Sequence, residues 1–217
     1  MQILALDAAL ASCSVALVVD GAPVASHAEA ATRGQQSILA PMAEVVLRSL
    51  APGVPLDAVA VTIGPGSFTG LRSAIALAHG LAAGICPVVG VTVAEALAEM
   101  VGPLSGRALW TAIDNRRGRV FLDIAGHLQA FQLTDLPTPE GPVAIAGDAA
   151  VAVAAMLVGR GHDVKLIDAR LPHAVAVAGV AKRRLMGALP PCAAMPIYVD
   201  APEAKLPAGG LRPHPVG

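Results

Sequence analysis

Gly64-Pro65-Gly66-Ser67-Phe68-Thr69-Gly70-Leu71-Arg72 decides how this chain is read. It follows the apolar run Ala58-Val59-Ala60-Val61-Thr62-Ile63 and opens into a helical pattern whose first N–H groups Ser67 or Thr69 can cap. A strand, a glycine-rich loop and a helix in that order commonly serve anions, because bare N–H groups and the helix dipole favour negative charge. No Gly-Lys-Ser/Thr closes the loop, so it is not a P-loop, and its glycine spacing is not the dinucleotide fingerprint.

Upstream of this stretch, residues 3–7 and 14–20 read as strands, Asp20-Gly21 as a turn and residues 23–28 as a third strand. Residues 37–50 predict a helix with Ile38, Leu39, Met42, Val45, Val46 and Leu50 on one stripe and Pro41 in its first turn. Downstream, residues 71–83 predict a helix made almost wholly of small or apolar residues. Such a helix wants cover on more than one side and lets another helix approach closely. A strand over 87–91 leads to a helix over 93–101, with Thr92 as N-cap and Glu95 three residues on, a capping-box signature.

After a break at Gly102-Pro103-Leu104-Ser105-Gly106 the opening pattern returns in outline. The apolar run 108–113 ends in Asp114 as the first strand ends in Asp7, a turn follows at 115–119, and 120–124 runs back. This repeat predicts a duplicated α/β unit in two lobes, 1–103 and 104–217. Helices over 149–158 and 174–189 complete the second, smaller lobe. The Pro-rich tail from 190 is extended apart from a strand at Ile197-Tyr198-Val199, and it can pack back on the first lobe.

Apolar residues make up 55% of the 217 and charged residues 14%, enough for a sizeable core and the opposite of a disordered composition. Aromatics are only 2%, so Ala, Val, Leu and Gly do the packing. A net charge of −1 argues against unaided nucleic-acid binding. Cys13, Cys86 and Cys192 lack CxxC spacing and read as thiols in a reducing compartment. With no signal peptide and no membrane-length apolar run, a cytoplasmic location is expected.

The chemistry-bearing residues are sparse. The histidines show no i,i+4 pairing, so no metal site is expected. A triad can be drawn from Ser67, His79 and Asp114, but no nucleophile elbow ties them together. Asp7 and Asp114, each ending a lobe's first strand, are positioned to hold Mg²⁺-bound phosphates between lobes. Equally, they read as local caps of strand ends. Arg116, Arg117 and Arg119 form a basic turn.

Taken together these stretches resemble the TsaB (YeaZ) family, bacterial subunits of the machinery that makes threonylcarbamoyladenosine in tRNA. The 64–72 motif matches that family residue for residue. The 3–7 and 13–17 hairpin, Val88-Val89-Gly90-Val91, Asp114 with Arg116-Arg117-Gly118, Gly147-Asp148, and Pro196 to Val199 with Pro202-Glu203-Ala204-Lys205 follow in the family's order. Ala8-Ala9, Gln35 and Asp200 depart from its common pattern.

The resemblance implies an actin-like (ASKHA, ribonuclease H-like) duplicated fold and a non-catalytic scaffold with no intrinsic cofactor. Its implied partners are the metal-binding transferase TsaD and the ATPase TsaE, which carry the metal and ATP. tRNA is met only through the complex, and a homodimer is expected where TsaD is absent. It implies a partner bundle built from the first two helices, with Ile38, Leu39, Met42, Val45, Leu71, Ala74, Ala76, Ala78 and Leu81 as interface. A bulky residue at Ala76 or Ala78 is expected to break that complex and spare the fold. The motif loop is Gly64, Pro65, Gly66, Ser67, Phe68, Thr69, Gly70 and Arg72, and Asp7 with Asp114 mark a vestigial nucleotide site. The competing class is a weak ATPase or phosphotransferase using Asp7, Asp114 and the 64–70 loop.

Overall fold

The computed structural model of the chain describes residues 1–31 and 34–199. Expectations that rest on Asp200 and on Pro202-Glu203-Ala204-Lys205 lie outside the described residues. Strands β1 (Gln2–Asp7), β2 (Ser12–Val19) and β3 (Ala22–Ala30) form an antiparallel meander. β4 (Ala58–Gly64) and β5 (Val88–Thr92) add in parallel beyond β1, giving the order β3-β2-β1-β4-β5. The second sheet comprises β6 (Ala108–Asp114), β7 (Arg119–Ile124), β8 (His127–Gln132), β9 (Val143–Ala146) and β10 (Val164–Leu166). Read from β8, its order is β8-β7-β6-β9-β10, with the same pattern of senses. One topology occurring twice is the duplicated two-lobe α/β architecture of the actin-like class.

Parallel neighbours need crossovers, and helices supply them. In the first lobe these are α1 (Gln35–Leu47) before β4 and α2 (Phe68–Ala82) before β5. α3 (Val93–Glu99) follows β5, α4 (Ala150–Gly159) crosses from β9 to β10, and α5 (Ala174–Leu185) comes last. The capping box of α3 forms in both directions: Thr92 Oγ1 accepts from Glu95 N at 3.1 Å, and Glu95 Oε2 accepts from Thr92 N at 2.8 Å. α2 takes Ser67 rather than Thr69 as its N-cap, Oγ accepting from Gly70 N at 3.2 Å.

Alternation along the strands sets the thickness of each layer. Leu4, Leu6, Val15, Leu17, Val59, Val61 and Ile63 face α1 and α2. Their neighbours Ile3, Ala5, Ala16, Ala58 and Ala60 face α5. The period-two geometry of a strand sorts the two sets onto opposite faces. Large side chains thus meet the first two helices, while a face of Ala5, Ala16, Ala58 and Ala60 mixed with Ile3, Val18, Val89 and Val91 meets the small-residue helix α5. In the second lobe α4 covers one face through Val153, Ala154 and Leu157. Ile113, Phe121, Ala146 and Ala169 of the other face meet Ala9, Leu10, Leu71, Val93 and Leu97 between the lobes.

Several expectations are corrected by these positions. α1 starts at Gln35, so Pro41 sits in the helix interior rather than its first turn and offers no N–H to the Ser37 carbonyl. Residues 197–199 form no strand: Ile197 N donates to Ile63 O at 2.8 Å, and a bend follows at Val199. α5 packs on the first sheet, not the second, and Ser14 Oγ accepts from its first N–H, that of Ala174, at 2.9 Å. The tail returns to the first lobe too, with Gly90 N donating to Cys192 O at 3.0 Å. Strands β8, β9 and β10 went unassigned in the sequence because β8 is polar and half exposed, and the other two are very short. Among the described residues no helix is long and apolar enough to cross a membrane.

Candidate functional site

The 64–72 motif is held by close packing. Ser67 N donates to Ala9 O at 2.7 Å, so the loop lies directly on the β1–β2 turn. A Cβ on Gly66 would stand 2.2 Å from Ala9 O, and one on Gly70 would stand 2.1 Å from Ala8 O. Neither position has room for a side chain. Gln35 secures the same turn, its Nε2 donating to Leu10 O and, at 3.1 Å, to Ala31 O. The departures Ala8-Ala9 and Gln35 therefore sit at one tightly packed junction.

A cleft of about 670 Å³ opens between the lobes beside this junction. One wall comes from Leu10, Gln35, Ser67, Phe68 and Tyr198; the other from Asp114, Asn115, Arg116 and Arg117. Asp7 is fully buried instead of lining it. Thr62 Oγ1 donates to Asp7 Oδ1 at 2.7 Å and Ala9 N donates to the same oxygen at 3.2 Å, while Oδ2 has no partner among the described residues. Burial outweighs both hydrogen bonds and pushes the Asp7 carboxyl up to about 7. Burial likewise pushes the neighbouring Cys13 thiol up to about 12, so it is an inert core group.

Asp114 is held differently. Asp148, which stands out in the sequence only as part of Gly147-Asp148, accepts from Asp114 N at 2.8 Å. Arg116, with φ at 60°, returns its N–H to Asp114 Oδ1 at 2.8 Å. Its guanidinium stands 3.7 Å from Asp114 and 3.3 Å from Asp148. Burial raises the Asp148 carboxyl, which the Arg116 charge partly offsets. The chain's own cation thus takes the place between two carboxylates that a divalent ion would need. With Asp7 sealed away from the cleft and its carboxyl raised to about 7 by burial, these residues do not fit Mg²⁺-bound phosphates.

The triad drawn from the sequence does not assemble either. Ser67 Oγ is engaged in capping, and His79 lies three turns further along α2, about 18 Å by helical rise, with Nε2 3.4 Å from Ala194 O. Among the described residues no group of three or more His, Cys, Asp or Glu side chains is placed to hold a metal ion.

Of the candidate interface residues, Leu39, Met42, Ala74 and Ala78 are buried in the core beneath α1 and α2, and Leu71 in the cluster between the lobes. Ile38 and Leu81 are half-buried, and Val45 and Ala76 are exposed. Ala78 has no exposure at all, so a bulky residue there would disrupt the core instead of sparing the fold. At the N-terminal end of α2, Arg72 stacks on Phe68, with its guanidinium carbon 3.9 Å from the ring centroid. Its Nε donates to Tyr198 OH at 2.9 Å. Tyr198 escapes a sequence-based search for site residues because its partner lies far away along the chain. The signal for Asp148 was present in the repeat, since Gly64 and Gly147 both adopt positive φ at the end of a lobe's fourth strand.

A family model described as "TsaD: tRNA N6-adenosine threonylcarbamoyltransferase" matches residues 27–162. The chain is 38% identical over 124 residues to the tRNA threonylcarbamoyladenosine biosynthesis protein TsaB of Escherichia coli, covering 56% of this chain and 53% of that protein. It is 35% identical over 124 residues to TsaB of Haemophilus influenzae, covering 56% and 52% respectively. The chain thus spans about half the length of the curated relatives it matches. Among solved structures, YeaZ from Pseudomonas aeruginosa superposes with a TM-score of 0.73 at 28% identity, covering 91% of this chain and 99% of that one. A second Pseudomonas aeruginosa structure, described as similar to peptidase YEAZ, gives a TM-score of 0.74 at 27% identity, covering 92% and 99%. The chain belongs to the family of the tRNA N6-adenosine threonylcarbamoyltransferase TsaD, as a member of its TsaB (YeaZ) group.

Proposed function

We propose that this chain is a non-catalytic, cytoplasmic subunit of the assembly that forms N6-threonylcarbamoyladenosine in tRNA. It pairs with a TsaD-type transferase through the outer faces of α1 and α2 and is joined by a TsaE-type ATPase. The observation that carries the reading is the Arg116 guanidinium lodged between Asp114 and Asp148, which takes up the carboxylates a phosphotransferase would aim at a metal. Its contribution is binding energy that favours one conformation of the partner. Metal and ATP belong to the partner subunits, and tRNA is reached through them.

Calorimetry of the isolated chain with Mg-ATP tests this against the phosphotransferase alternative. The expected result is no turnover, together with capture of a TsaD-type homologue when the tagged chain is drawn from its own cell extract. Steady hydrolysis by the pure chain would replace the reading with its rival.

A further inference from the structure

Arg72 is held in a way that nothing among the described residues uses. It lies on the exposed side of α2, one turn before Ala76 and on the same face. Its guanidinium carbon stands over the Phe68 ring, and Nε is held by the Tyr198 hydroxyl from the tail. Tyr198 and Phe68 are themselves 45% and 53% exposed, a large aromatic surface in a chain with few aromatics. Among the described residues Arg72 has no carboxylate partner, and its terminal amino groups have no acceptor. A guanidinium fixed by stacking loses little side-chain freedom when it meets a planar anion, and its fork matches a carboxylate. Arginine set among aromatics is also the composition of interface hot spots.

We propose that Arg72, held by Phe68 and Tyr198, is the specificity anchor of the α2 face and takes an Asp or Glu carboxylate of the protein partner. The inference rests on the pairing proposed above and names its chemistry at one end of the surface. It commits to a protein carboxylate because Arg72 continues the Ala76 face, where a close-packed helix fits and a nucleic-acid backbone does not.

The test measures the dissociation constant of the full chain for the TsaD-type subunit, with Arg72→Ala, Arg72→Lys and Tyr198→Phe beside the unsubstituted chain. Arg72→Ala is expected to weaken binding about tenfold or more. Arg72→Lys should weaken it nearly as much, because charge survives while the stack and fork are lost, and Tyr198→Phe less. Unchanged melting of the variants excludes misfolding as the cause. Equal affinity for all of them would overturn the anchor and leave the pairing intact. No binding by the unsubstituted chain would remove the pairing and the anchor together. Arg72 variants that lose tRNA affinity but keep the protein partner would reassign the site to phosphate and overturn the proposal. It also falls if Asp200→Asn or Glu203→Gln abolishes the Arg72 effect, since the carboxylate would then be the chain's own.

Discussion

At the end of β1, Asp7 keeps a carboxyl group out of water with one oxygen unpartnered among the described residues. Its folded-state value of about 7 lies above the ordinary 3.8, so the native state holds the proton more tightly than the unfolded chain. As pH rises from about 4 to about 7 the unfolded chain ionises first, and stability falls across that window. The shift corresponds to a penalty of roughly 4 kcal/mol at its upper bound. Asp7→Asn keeps an acceptor for Thr62 and Ala9 but removes the charge. Its urea unfolding free energy at pH 8 should exceed that of the unsubstituted chain by a few kcal/mol. The two should converge near pH 4, and parallel profiles across the window would contradict the burial argument. Sequence located Asp7 at a strand end; its environment depends on Thr62 and Ala9 meeting it, which no local pattern records.

At the scale of elements, Arg184 joins pieces that are distant along the chain. From α5 its Nη1 donates to Gly90 O at 2.7 Å in β5, its Nε to Pro190 O at 2.6 Å in the tail, and Nη2 to Glu95 of α3. Glu95 therefore serves twice, closing the capping box with one oxygen and binding Arg184 with the other. Arg184→Met fills similar volume but strands two carbonyls and a half-buried carboxylate. It should cost roughly 2–4 kcal/mol, read as a lower urea midpoint at unchanged slope. A midpoint equal to that of the unsubstituted chain would show the knot to be idle. The capping box was legible because it is written in four consecutive residues. The destination of α5 was not, since an apolar helical pattern by itself does not say which sheet it covers. The 64–72 motif divides in the same way: its strand–loop–helix form could be read directly, whereas the reason for Gly66 and Gly70 lies in the backbone of Ala8 and Ala9.

Across the whole molecule, the duplicated hairpins at Asp7 and Asp114 gave the two lobes away, and the matching strand orders follow from them. Less visible was how the chain closes on itself, with α5 and residues 190–199 returning to the first lobe and Tyr198 reaching the motif. In the interlobe cleft Arg116 stands between Asp114 and Asp148. The outer faces of α1 and α2 carry exposed Val45 and Ala76 above a core that does not depend on them. Under the proposed pairing, the working surface of the molecule lies on those faces. Its most direct test is light scattering of the chain mixed with the TsaD-type subunit, run for the unsubstituted chain and for Ala76→Trp. The account predicts the mass of a one-to-one complex for the first and two separate, folded proteins for the second. A full complex with Ala76→Trp, or none with the unsubstituted chain, would contradict it.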